Sequence, residues 1–190
     1  MKIGCVLLAA GSGKRFGGDK LLYAPDGVSM AERACRLHAD IDYGARVMVV
    51  RTGDETLGAL AAQYGFDAVP NPRAADGIGT SAACGMAALL ERDGSLDGAL
   101  FAVCDQPYLT AESVRRLLQA FQADASRIVA PECLGRRGNP VVFPRSLFRE
   151  FDALHADVGG GAIIRNHPEL LTLVALCDER ELSDIDYQNT

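Results

Sequence analysis

The chain has 190 residues, 48% of them hydrophobic, and a formal net charge of −6. That length and composition suit a single domain spanning 1–190 with a substantial core, and the acidic balance excludes a nucleic-acid or anionic-membrane surface, since either needs a basic face. No apolar run approaches the roughly 20 residues that span a bilayer, and Met1-Lys2-Ile3 leads straight into a strand, so a cytoplasmic protein is expected.

Ile3 to Leu8 reads as a strand without polar alternation, as a parallel strand covered on both faces should. It ends in Ala9-Ala10-Gly11-Ser12-Gly13-Lys14-Arg15-Phe16-Gly17-Gly18-Asp19-Lys20, a glycine-dense loop with three cations, suited to wrapping a polyphosphate. Asp26-Gly27 marks a turn, and Ser29 caps a helix from Met30 to about Asp40. Arg46 to Val50 is a second buried strand. Leu57, Leu60, Ala61 and Tyr64 form the stripe of a helix that Gly65 ends.

A short strand at about Asp67 to Val69 runs into Pro70-Asn71-Pro72 and a loop closing with Asp76-Gly77-Ile78-Gly79-Thr80-Ser81. The next helix carries Ala83, Met86, Ala87 and Leu90 on one face. Gly98 to Cys104 is the most uniformly apolar strand and ends at Asp105-Gln106-Pro107. Thr110 caps a helix with Val114, Leu117, Leu118 and Phe121 as its apolar face. Further strands at Ile128 to Ala130, Pro140 to Phe143 and Leu171 to Leu176 are separated by Gly135-Arg136-Arg137-Gly138 and Gly159-Gly160-Gly161. This alternation predicts a three-layer α/β/α, Rossmann-like open sheet, mainly parallel, with ligands bound beyond the carboxyl ends of its strands.

The six cysteines are scattered, without a Cys-x-x-Cys pair or a histidine at ligand spacing, so reduced, mostly buried thiols are expected and a zinc site is not. His38, on the polar side of its predicted helix, His155 and His167 have no motif partner and receive no catalytic role.

Spacing separates the glycine-loop types. A Walker A loop ends in Gly-Lys-Ser/Thr, whereas Gly18 is followed by Asp19 and Lys20. The dinucleotide fingerprint needs glycine where Phe16 stands. A plain strand-to-helix turn with solvated cations is the remaining alternative. What fits in order and spacing is Leu-Ala-Ala-Gly followed by Arg15 and Lys20. In this the chain resembles the MobA-like nucleotidyltransferases, and within them the CTP-using molybdenum-cofactor cytidylyltransferases.

Nucleotidyl transfer needs cations on the triphosphate and a metal bridging phosphate oxygens. Arg15 can clamp phosphate oxygens bidentately, and Lys20 supplies a point charge as pyrophosphate leaves. Asp105 reads equally as an Mg²⁺ ligand or as a carboxylate capping the turn before Pro107; the family's Asp-Gln-Pro motif implies the ligand. The resemblance also implies a second metal contact at Asp186, within Asp184-Ile185-Asp186, although Tyr187-Gln188-Asn189-Thr190 departs from the family's usual continuation. A solvated acidic tail is the bland alternative.

Leu8, Ala9, Ala10, Gly11 and Gly13 complete the implied nucleotide cradle. Ala-Ala-Gly at 9–11 and Gly77-Ile78-Gly79-Thr80-Ser81 resemble the CTP-using branch rather than the guanylyltransferases. Gly79 and Ser81 would then meet the cytidine, with Asn71 assisting, unless Ser81 simply caps its helix. Gln106, Arg137 and Asn139 are the implied acceptor residues. Gly161-Ala162 stands where the family usually has Ala-Arg, so Arg165 is a candidate for the missing cation.

The resemblance implies Mg²⁺-dependent transfer of CMP from CTP to the terminal phosphate of molybdenum-loaded molybdopterin. A molybdenum hydroxylase, or a factor that matures one, would receive the product. Two other readings stay open: a nucleotidyltransferase for another phosphorylated acceptor, GTP-dependent or acting on a sugar or polyol phosphate, and a cofactor-binding maturation factor that turns nothing over.

Overall fold

The computed structural model describes residues 1–11, 16, 19–24, 26–176 and 178–185. Its strands are β1 (Ile3–Leu8), β2 (Ala45–Arg51), β3 (Asp67–Asn71), β4 (Gly98–Val103), β5 (Ile128–Cys133), β6 (Arg136–Arg137), β7 (Val141–Pro144) and β8 (Leu171–Ala175). They form one sheet in the order β3-β2-β1-β4-β7-β5-β6, with β8 also on β5. The first four are mutually parallel, whereas β7 runs antiparallel to both β4 and β5. The sheet is thus mainly parallel but mixed, as an apolar run alone does not reveal strand direction.

The helices are α1 (Met30–Ala39), α2 (Glu55–Gln63), α3 (Ile78–Arg92), α4 (Ala111–Ala123) and α5 (Gly161–Asn166). Three begin with side-chain caps: Ser29 accepts from Glu32 N, Asp54 from Leu57 N and Thr110 from Ser113 N. Alternate residues of β1 face opposite layers. Cys5 and Leu7 join the core with α1 and α4 residues such as Cys35 and Leu117, while Val6 joins the one with Met86 and Leu89 of α3. Burial of both faces explains why β1, β4 and the 47–50 stretch of β2 read as unbroken apolar runs.

His38 corrects an expectation. It is buried rather than polar-facing, with Nδ1 2.8 Å from Tyr43 Oη and 3.9 Å from Cys5 Sγ. Burial, with Arg46 nearby, pushes its pKa down to about 3, so the ring is neutral. Burial likewise raises the Cys5 and Cys104 thiols and pushes Cys35 up to about 12, keeping all three protonated.

Candidate active site

Leu8 pairs with Val103 at the carboxyl ends of β1 and β4, so the residues that follow each strand leave the sheet side by side. The connection after β1 returns to β2 on one side and that after β4 leads away on the other, the switch point where open α/β sheets bind ligands. Beyond Leu8, Ala9 extends the ladder through its N–H to Val49 O at 2.8 Å. Ala9 and Ala10 are buried on opposite faces and Gly11 is exposed. Gly13 and Arg15 lie outside the described residues. Phe16 is buried with its ring edge-on to Tyr23, centroids 5.1 Å apart.

Lys20 then opens a short 3-10 segment, Lys20–Leu22, and its Nζ donates to Asp105 Oδ2 at 2.7 Å. The side chains are 13% and 25% exposed, too wet for a deep ion pair and too dry for a freely solvated one. No described residue donates to Asp105 Oδ1. One carboxylate with an open oxygen fits Mg²⁺, which is typically held by one or two carboxylates plus substrate phosphates. Among the described residues no group of three or more His, Cys, Asp and Glu could cage a metal on its own. Asp186 lies outside the described residues.

The expected base-contact residues are brought together on a second element. Asn71, at the end of β3, donates from Nδ2 to Thr80 Oγ1 and Ser81 Oγ, both at 3.0 Å, and accepts from Arg73 N at 2.9 Å. All three side chains are buried. Helix α3 starts at Ile78, so Gly79, Thr80 and Ser81 form its first turn rather than the end of a loop, and Ser81 does not cap it. Gly77, at φ +114°, makes that start possible, and a Cβ there would fall 2.3 Å from the Ala156 carbonyl carbon. Gly79 is equally close: its N–H donates to Ala156 O at 2.9 Å, and a Cβ would sit 2.6 Å from Val158 O. Asn71 and Gly79 therefore shape this end of the site, with their described hydrogen bonds spent on protein.

Beside the start of α3, which lines it through Ile78 and Ala82, lies a cavity of about 250 Å³. Phe101, Phe143 and Phe151 line it with Leu8, Arg137 and Asn139. Phe101 stacks on Phe151 at 4.6 Å, and Phe143 stands edge-on to both at 5.9 and 5.2 Å, fixing a rigid aromatic wall. The Arg137 and Arg165 guanidiniums flank Gly161, at 4.0 and 3.6 Å from where its Cβ would be. Gln106 does not line the cavity; its Oε1 is buried without a donor among the described residues. The aromatic wall escaped sequence reading because its members come from separate segments, and each looks locally like ordinary core.

Residues 5–170 match the family model of the MobA-like NTP transferase domain. The chain belongs to that family. It is 31% identical to nicotine blue oxidoreductase of Paenarthrobacter nicotinovorans, over 95% of this chain and 90% of that protein. Its fold matches Rv0371c of Mycobacterium tuberculosis H37Rv, with TM-score 0.81 and 22% identity over 98% of this chain and 93% of the other. That protein has also been solved as a manganese complex. A nucleotidyl transferase from Methanothermobacter thermautotroptrophicus superposes with TM-score 0.79 at 20% identity, covering 98% and 92%. The MobA-like NTP transferase assignment supports a nucleotidyltransferase.

Proposed function

We propose that the chain transfers CMP from CTP to the terminal phosphate of molybdenum-loaded molybdopterin, with release of pyrophosphate. The observation that carries a transfer reaction is the meeting of Lys20 and Asp105 at the switch point, 2.7 Å apart. An acceptor phosphate oxygen attacks the α-phosphorus, the bond from that phosphorus to the bridging oxygen breaks, and the electron pair leaves with pyrophosphate. The acceptor is already ionised at neutral pH, so no histidine base is needed. Bound Mg²⁺ would supply charge neutralisation on the phosphates, with Asp105 as its protein ligand. Lys20 places a cation where negative charge grows on the leaving group, and Arg15, from the loop, is the further clamp. A manganese complex of a fold relative supports divalent-metal use.

The acceptor side supports a compound carrying phosphate: Arg137 and Arg165 suit an anion beside the cavity, whose buried phenylalanine rings give it an apolar backing. CTP rather than GTP rests on Ala10 and on the Gly77–Ser81 segment.

The test mixes purified protein with Mg²⁺, CTP or GTP, and loaded cofactor, and measures pyrophosphate. CTP should give the faster release. Equal or greater release with GTP would overturn the CTP assignment, and release only with another phosphorylated acceptor would replace the pterin. Binding of the cofactor with no release would leave the maturation-factor reading standing. The relative named nicotine blue oxidoreductase, 31% identical over 90% of its length, favours a second reading in which an organic compound is oxidised or reduced by a separately supplied electron acceptor or donor. Turnover of such a compound without pyrophosphate would establish that one.

A further inference from the structure

Glu181 is a buried carboxylate in a run, Asp178-Glu179-Arg180-Glu181, that looks solvated in sequence. It lies in a 3-10 segment, Glu179–Leu182, that returns from β8 across the carboxyl edge of the sheet. Its Oε2 accepts from Thr110 N at 3.0 Å and lies 2.9 Å from Thr110 Oγ1. Thr110 in turn caps α4 by accepting from Ser113 N at 3.2 Å. Accepting the cap residue's own N–H is ordinarily the work of a side chain three positions into the helix. Here it is done from 71 residues away.

Burying a carboxylate is costly unless hydrogen bonds and positive potential offset it, and a helix N-terminus offers both. The same segment touches both halves of the site. Ile185 N donates to Asp105 O at 3.3 Å. Leu182 covers Gly138, whose Cβ, if present, would fall 2.6 Å from Leu182 Cδ2; Gly138 lies between Arg137 and Asn139. The turn from Asp105 to Leu109 is therefore held by the sheet at one end and by Glu181, through Thr110, at the other.

We propose that Glu181 is a positioning residue, which through Thr110 fixes the Asp105–Leu109 turn and so sets where the Asp105 carboxylate stands opposite Lys20. The consequence for metal use rests on the transfer reading; the consequence for the turn does not. The experiment compares wild type with Glu181→Gln, which keeps an acceptor oxygen, and with Glu181→Ala and Glu181→Asp, which remove it or draw it out of reach. Hydrogen exchange is followed by mass spectrometry well below the melting temperature. In the Ala and Asp variants, peptides covering 104–114 should exchange about tenfold faster than in wild type, while those covering β2 and α2 stay unchanged. Gln should restore protection to within about threefold. The Mg²⁺ concentration for half-maximal pyrophosphate release should rise about tenfold in Ala and Asp, with CTP KM unchanged. Unchanged exchange over 104–114, or a uniform rise along the whole chain, overturns the proposal even if no transfer is ever detected. Absence of pyrophosphate from wild type, with the local exchange effect intact, removes the transfer reading and leaves the positioning role in place.

Discussion

Lys20 and Asp105, 85 positions apart in sequence, meet at 2.7 Å where β1 and β4 end side by side. Both side chains are mostly buried, so the attraction between them is largely offset by the cost of desolvating the two charges. The transfer reading gives the pair its role in chemistry. Asp105→Ala should cut pyrophosphate release roughly a thousandfold or more, because metal-borne charge stabilisation supplies several kcal/mol. Far-UV circular dichroism should be unchanged. Wild-type turnover in a folded Asp105→Ala protein would remove that carboxylate from the mechanism.

Asn71 should behave in the opposite way. Its amide satisfies two hydroxyls and one backbone N–H in a buried setting. Asn71→Ala is expected to lower unfolding stability by about 2–4 kcal/mol in urea titrations. Ser81→Ala should cost only about 1 kcal/mol in stability while raising CTP KM roughly tenfold. An unchanged CTP KM there would leave Ser81 as a partner of Asn71 alone.

Arg137 separates acceptor from nucleotide. Its guanidinium and that of Arg165 flank Gly161 beside the aromatic cavity. A charge-assisted hydrogen bond contributes about 1.5–3 kcal/mol, so Arg137→Met should raise acceptor KM by roughly 10- to 150-fold. CTP KM should hold. Arg165→Met should act in the same direction, and a rise in CTP KM alone would place the pair on the triphosphate instead.

The stability of the fold should fall on the acid side because of His38. Its pKa is about 3 in the folded chain against an ordinary 6.5. Between those values the unfolded chain binds the proton and the folded one refuses it, so stability rises with pH. The contribution is complete above pH 6.5 and lost as pH falls, at up to about 1.4 kcal/mol per pH unit. His38→Gln should be less stable than wild type at pH 7 yet lose less on acidification, read from urea midpoints at pH 4.5 and 7. Equal slopes in the two proteins would show that other groups set the acid limb.

What could be read in the sequence had a local physical signal. The runs that became β1 and β4 lack polar residues because both faces are covered, and Ser29 and Thr110 announce their helices by side-chain chemistry. The convergence of Leu8 with Cys104 and Asp105 followed from the rule for strand carboxyl ends. His38 was misplaced because helical spacing sets it off the main apolar stripe, while tertiary packing brings Tyr43 and Cys5 to it. The insertion of β7 beside β4, the union of three phenylalanines and the return of Glu181 to Thr110 are long-range facts that no window of sequence carries.

The antiparallel placement of β7 against β4 divides the sheet into a run built from residues 1–103 and one built from residues 128–175. The loop carrying Lys20 belongs to the first, whereas Arg137, Asn139 and most of the aromatic wall belong to the second. On the transfer reading, descendants of such a scaffold could diversify what is modified while inheriting the nucleotide grip, much as an interchangeable tool head fits one handle. A graft across that seam would need to carry Phe101 with it, and to keep Gly77 opposite Ala156, because those contacts join the two parts.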